Sequence, residues 1–167
     1  MKKPVVIKIG GAILDGYNQG NSSALTALLS VIASLKDQAV VLVHGGGCVV
    51  DEMLRQAGFS SEKKHGLRVT PKAHMAIVSG ALAGNVNKAI VASAAQLKLP
   101  AVGLSLADGQ MVRCQLSPLA IGQVGVPQPF SSALLDTLLK ANFLPVISSI
   151  GALDNGELVN VNADDAA

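Results

Sequence analysis

The chain has 167 residues, half of them hydrophobic but only 2% aromatic, so it is large enough to bury a core built mainly from Ala, Val, Leu and Ile. Thirteen basic residues against eleven acidic ones leave a formal net charge of +2, too small and too dispersed for a nucleic-acid footprint. Two cysteines, Cys48 and Cys114, exclude a disulfide framework and a thiolate metal site, and point to a reducing, cytoplasmic setting.

Residues 4–9 read as a buried strand closed by Gly10-Gly11, and residues 22–35 as an apolar helix introduced by Asn21-Ser22-Ser23. The opening Met1-Lys2-Lys3-Pro4 and its short apolar run make a poor secretory leader. A second unit repeats the order: strand 39–43, the turn Gly45-Gly46-Gly47, and helix 48–57 with Asp51 and Glu52 early in it. Two successive βα units imply parallel strands with helices on their faces, and hence an α/β class.

Residues 59–69 turn polar and basic around Gly66, as in a projecting loop or hairpin. Pro71 then opens a long Ala-rich helix to about residue 98, with Gly80 and Gly84 as points of bending. Its small residues Ala76, Gly80, Ala83 and Gly84 would allow another helix to approach. Residues 101–106 form a third strand, and Ala107-Asp108-Gly109-Gln110 signals a hairpin into residues 111–116. Helix 131–141, strand 144–150, a turn at Asp154-Asn155-Gly156 and a helix opening at Asp164-Asp165 complete the order. Mean hydropathy is +0.46, yet polar residues and glycines interrupt the apolar stretches short of the roughly 20 residues that span a bilayer, so no membrane partner is expected.

Four constellations carry chemistry. Lys8-Ile9-Gly10-Gly11 joins a cation to bare backbone at a strand end; it reads as a phosphate-handling turn or as an ordinary tight βα turn with a surface lysine. His44-Gly45-Gly46-Gly47 has more glycine than a turn requires, which fits either a ligand against the backbone or close packing, with His44 in a structural role. Arg68, in Gly66-Leu67-Arg68-Val69-Thr70, has the planar fork for a carboxylate or is a solvated surface residue. Asn160 and Asn162 share one face of an extended segment that ends at Asp164, which otherwise reads as an N-cap. Neither the P-loop pattern nor G-x-G-x-x-G is present.

In this order the strings KIGG at 8–11, VHGGGCVVDE at 43–52, GLRVTP at 66–71, SGALAGNVNK at 79–88, SSIG at 148–151 and NVNAD at 160–164 resemble the amino acid kinase family, most closely its acetylglutamate kinase branch. The resemblance implies a three-layer αβα sandwich with a mainly parallel central sheet. It also implies transfer of phosphate from ATP, with Mg²⁺, to the side-chain carboxylate of N-acetyl-L-glutamate in arginine biosynthesis. Carried onto this sequence, it makes Lys8 a stabiliser of the transferring phosphoryl group, with Gly10 and Gly11 beside the nucleotide. Gly46, Gly47, Arg68 and Asn160 would hold the acylated amino acid, and Asp164 would orient catalytic lysines. A homodimer across this lobe is implied as well. The family continues into a nucleotide-binding lobe, so residues 1–167 are expected to be the N-terminal, acetylglutamate-binding lobe and to be inactive alone. Acetylaminoadipate is an alternative acceptor, and a substrate-binding fragment an alternative role. An α/β-hydrolase is a rival from another class, since HGGG and Gly103-Leu104-Ser105-Leu106-Ala107 approximate an oxyanion hole and a nucleophile elbow. The helix expected after Ser105 is replaced by an Asp-Gly turn, and all three histidines precede it.

Overall fold

The computed structural model describes residues 3–14, 23–35 and 37–167. The introducing segment Asn21-Ser22-Ser23 lies partly outside these residues. Strand β1 (Val5–Ile9) and strand β2 (Val40–His44) pair in parallel, Lys8 opposite Val43 and Ile9 opposite His44. Contrary to the expected buried strand, β1 lies at the sheet edge and only Ile9 of it is buried, with Val5 and Val6 exposed. Between them lie the short α1 (Gly11–Leu14) and α2 (Ser23–Ser34). Helix α3 (Gly47–Gln56) follows β2 directly, and β3 (Glu62–Lys64) with β4 (Leu67–Val69) makes the basic hairpin turned at His65-Gly66.

The long apolar helix starts with a 3₁₀ turn, Lys72–His74, and continues as α4 (Met75–Ser79), a π-helical stretch Gly80–Val86, and α5 (Asn87–Gln96). The two glycines expected to bend it lie inside the π-helical stretch, where the wider turn re-aims the residues that follow. By length and composition Lys72–Gln96 could cross a membrane. Here Val78, Leu82, Val86, Ile90 and Ala94 are instead buried in the protein core, while Ala76, Gly80 and Gly84 remain exposed.

Strands β5 (Ala101–Ser105) and β8 (Leu144–Ser148) complete a four-stranded, all-parallel sheet in the order β1-β2-β8-β5. Every residue of β2 and β8 is buried, which explains why both read as unbroken apolar runs. On one face Leu42 and Val146 pack with Leu29 of α2, Leu54 of α3 and Ile90 of α5. On the other, Val41, Val43 and Ile147 pack with Leu139 of α6 (Ala133–Lys140) and with a second sheet. The α/β class with a parallel sheet between helices is therefore as expected.

The second sheet was not anticipated. It runs β6 (Val112–Leu116), β7 (Val124–Pro129), β10 (Leu158–Val161), β9 (Ile150–Ala152). The hairpin expected at residues 107–110 is absent: β5 pairs with β8, β6 pairs with β7, and the Asp-Gly turn hands the chain from one sheet to the other. A turn signal reports a change of direction and does not choose a partner. Strand 144–150 likewise divides at Ser149 into β8 and β9, one in each sheet. Strand β7 escaped notice because Pro127 and Pro129 break its pattern. Both lie beyond the two residues, Val124 and Gly125, that pair with β10, so their missing N–H groups interrupt no ladder there. The final turn, α7 (Ala163–Ala166), is capped by Asn162, whose Oδ1 accepts from the Asp164 N–H at 2.7 Å. Asp164 is thus not its own helix cap.

Candidate active site

The strands of a parallel sheet present their C-terminal ends on one edge, where loops diverge and a crevice opens. Here that edge carries Gly10, the Gly45-Gly46-Gly47 turn, Ser105 and Ser148-Ser149. A cleft of about 200 Å³ opens there, lined by Gly46, Gly47, Arg68, Ser149, Asn160 and Asn162 among others. Residues from three separate sequence motifs, the glycine turn, the Arg68 segment and the Asn160–Asp164 segment, therefore share one space.

The glycine turn is shaped by close approach. A Cβ on Gly46 would lie 2.9 Å from Val86 Cγ2 and 3.0 Å from Leu82 Cδ2, both from the π-helical stretch. One on Gly45 would touch Ala163 Cβ at 3.4 Å, so α7 is packed onto the same turn. The first bond of α3 runs from the Val50 N–H to the Gly46 carbonyl. The N–H groups of residues 47–49 accordingly have no intrahelical acceptor, and the positive end of α3 faces the cleft wall.

Arg68 is not a solvated surface residue: its side chain is 7% exposed. Nη1 donates to Asp51 and Ser61, and Nη2 donates to the Gly47 carbonyl at 3.0 Å. Two of the five guanidinium N–H groups lie outside these three bonds. Burial of Asp51 works against its charge, but hydrogen bonds from Arg68 and Ser61 and the charges of Arg68 and Lys63 outweigh it. Its carboxyl is held below the usual range. Asp51 and Ser61 were not singled out from sequence; Asp51 stands within VHGGGCVVDE, but nothing local shows that it reaches an arginine in another motif.

Asn160 donates from Nδ2 to Thr70 Oγ1 at 3.2 Å, and the fully buried Thr70 donates to the Arg68 carbonyl at 3.0 Å. Arg68 and Asn160 are thereby linked through one hydroxyl. Lys8, Gly10 and Gly11 stand outside the cleft lining. Lys8 Nζ lies 2.7 Å from Asp164 Oδ1, beside Ala163 at the cleft rim, and 3.8 Å from where a Gly10 Cβ would stand. Gly11 opens α1 and has free space around it.

The hydrolase geometry is absent. Ser105 donates from Oγ to Asp108 Oδ2 at 3.0 Å, and the buried His44 ring is engaged by the Gly45 carbonyl and Asn87. Among the described residues no group of three or more His, Cys, Asp or Glu is placed to hold a metal ion.

The amino acid kinase family model matches residues 3–167. The chain belongs to the amino acid kinase family. Within that family it is 70% identical over 165 residues to the acetylglutamate kinase of Colwellia psychrerythraea, covering 99% of this chain and 62% of that protein. It therefore spans less than two thirds of this curated relative's length. Among solved structures it superposes on smu.665 from Streptococcus mutans with TM-score 0.83 and 28% identity, over 100% of this chain and 66% of that one. N-acetylglutamate synthase from Neisseria gonorrhoeae, solved with coenzyme A and N-acetyl-glutamate, matches at TM-score 0.75 and 23% identity over 97% of this chain and 37% of its own, which shows a shared fold.

Proposed function

We propose that this chain is the acylated-amino-acid-binding lobe of an acetylglutamate kinase acting in arginine biosynthesis. The observation that carries the reading is the convergence of Gly46, Gly47, Arg68 and Asn160 on one cleft, in a chain 70% identical to a named acetylglutamate kinase. An N-acetyl-L-glutamate molecule offers an α-carboxylate to the buried Arg68 and the N–H and C=O of its one acetamido group to Asn160 and the glycine turn.

In the whole enzyme a side-chain carboxylate oxygen attacks the γ-phosphorus of ATP, the bond to the β,γ-bridging oxygen breaks, and ADP leaves. The acceptor is already ionised at neutral pH, so no strong base is needed. The difficulty is bringing two anions together, which positioning and charge neutralisation solve. Lys8 would supply positive charge at the transferring phosphoryl group, held in place by Asp164, with Gly10 and Gly11 near the nucleotide. Mg²⁺ would arrive on the phosphates of ATP.

The rest of the reading follows the family. The nucleotide would be held chiefly by a lobe beyond residues 1–167. The exposed small residues of Lys72–Gln96 would form a homodimer face, which light scattering tests directly. A cytoplasmic setting belongs to the same proposal.

Separate titrations with N-acetyl-L-glutamate and ATP, together with a coupled ADP-release assay, test the assignment. Binding of the amino acid, weak or absent binding of ATP and no turnover by this chain support it. Tighter binding of acetylaminoadipate than of N-acetyl-L-glutamate would move the assignment to that acceptor, and binding of neither would overturn it.

A further inference from the structure

Behind the glycine turn lies a polar cluster that the chemistry above does not use. His44, the last residue of β2, and Asn87, the first of α5, are both fully buried. Asn87 Nδ2 lies 2.9 Å from the Val146 carbonyl, 3.2 Å from the Leu104 carbonyl and 3.0 Å from His44 Nε2. Asn87 Oδ1 receives a bond from Lys88 Nζ at 3.2 Å. Two carbonyls on one side and an ammonium on the other fix which end of the amide faces which neighbour. That end is an NH₂ group whose two hydrogens are shared among three acceptors, so a proton on His44 Nε2 would face a donor; Nε2 is therefore the bare acceptor and the ring proton belongs on Nδ1. Nδ1 lies 2.7 Å from the Gly45 carbonyl, which it reaches as a donor.

The fold leaves room for this cluster deliberately. A Cβ on Gly103 of β5 would stand 2.0 Å from Asn87 Oδ1 and 2.6 Å from Lys88 Nζ. The π-helical stretch immediately before Asn87 presents Val86 against Gly46 while Asn87 itself turns to His44. One helix thus supports the glycine turn twice, once by packing and once through the imidazole.

Because a trans peptide is planar, its C=O and N–H point in opposite directions. Holding the Gly45 carbonyl toward His44 therefore turns the Gly46 N–H away from the imidazole. We propose that His44 and Asn87 are positioning residues: Asn87 fixes the Nδ1–H form of His44, and His44 orients the Gly45–Gly46 peptide so that the Gly46 N–H serves the cleft. The ligand side of this inference rests on the function proposed above, with N-acetyl-L-glutamate as the probe.

Two substitutions separate positioning from simple support. His44→Asn keeps an amide donor near the place of Nδ1, and His44→Gln keeps an amide near the place of Nε2. Each removes one bond, so both lower Tm. The proposal expects His44→Asn to bind N-acetyl-L-glutamate about tenfold or more tightly than His44→Gln, because only the first still orients the Gly45 carbonyl. Equal affinities, or the reverse order, overturn it. If neither variant folds, or the wild-type chain does not bind the probe, imidazole and amide ¹⁵N spectra decide the matter without ligand. The wild-type chain should show His44 protonated on Nδ1, and Asn87→Ser should move the Gly46 amide resonance. Protonation on Nε2, or an unmoved Gly46 amide, contradicts the proposal whatever the chain binds.

Discussion

Lys8 of β1 and Asp164 of α7 meet at 2.7 Å, tying the first strand to the last helical turn at the rim of the cleft. Lys8 is one-third exposed and Asp164 70% exposed, so solvent screens the pair and its stabilisation is small, about 0–1 kcal/mol. Its value is in placing the ammonium.

Lys8→Ala in the complete enzyme should therefore depress kcat strongly while leaving the KM for N-acetyl-L-glutamate nearly unchanged, as expected of a group that acts on the transition state. The Tm of the variant should move little. Steady-state kinetics with calorimetry on the same sample checks both halves, and an unchanged kcat removes Lys8 from the chemistry.

Arg68→Ala should weaken N-acetyl-L-glutamate by about 2–3 kcal/mol, the scale of a charge-assisted bidentate contact, with far less effect on ATP. It also strips Asp51 of its main partner, so some stability is lost as well. A double-mutant cycle of Arg68→Ala with Asp51→Asn, read by urea unfolding and by titration, separates the two effects. Asp51→Asn should weaken binding less than Arg68→Ala, because Ser61 and the Gly47 carbonyl still hold the guanidinium.

How much of this was legible beforehand differs from residue to residue. Strands β2 and β8 showed as Val/Ile runs because the centre of a parallel sheet is buried on both faces, whereas β1 at the sheet edge carries a similar run with only Ile9 buried. Gly66 marked the basic hairpin because the chain turns there with positive φ. The glycine turn, Arg68 and Asn160 were visible as residue types, and the resemblance grouped them. Their partners were not visible. Asp51, Ser61 and Thr70 look like ordinary polar residues, and only the fold brings them to Arg68 and Asn160. Asn87 lies in a helix whose apolar periodicity says nothing of its three-way contact with β2, β5 and β8. Strand β7 was hidden by prolines that its position tolerates.

Glycine substitutions test the close approaches. Gly46→Ala places a methyl 2.9–3.0 Å from Val86 and Leu82, an overpacking expected to destabilise by about 1–3 kcal/mol. Gly11→Ala meets no neighbour and should be tolerated in stability. Chemical denaturation of the two variants distinguishes them; equal stabilities would mean that the turn is looser than its geometry.

Acid should weaken the chain in two stages. Burial lowers the His44 pKa, with its bond to the Gly45 carbonyl opposing the shift. The unfolded chain then binds a proton that the folded chain refuses, so stability is complete above about pH 6.5 and falls as pH drops below it. The lowered Asp51 carboxyl adds a second loss below about pH 4, as pH falls through its folded value. Urea unfolding followed against pH checks this, and His44→Asn should remove the upper slope. A slope that persists in that variant would assign it to another group.

In the proposed function, the cleft between the glycine turn, Arg68 and Asn160 holds an acylated acidic amino acid. Isothermal titration of the 167-residue chain with N-acetyl-L-glutamate, run beside Arg68→Ala, tests it most directly. The expected result is saturable one-site binding that the substitution weakens by about 30-fold or more, the equivalent of about 2 kcal/mol. Binding of equal strength in both chains, or none in the wild type, would contradict it.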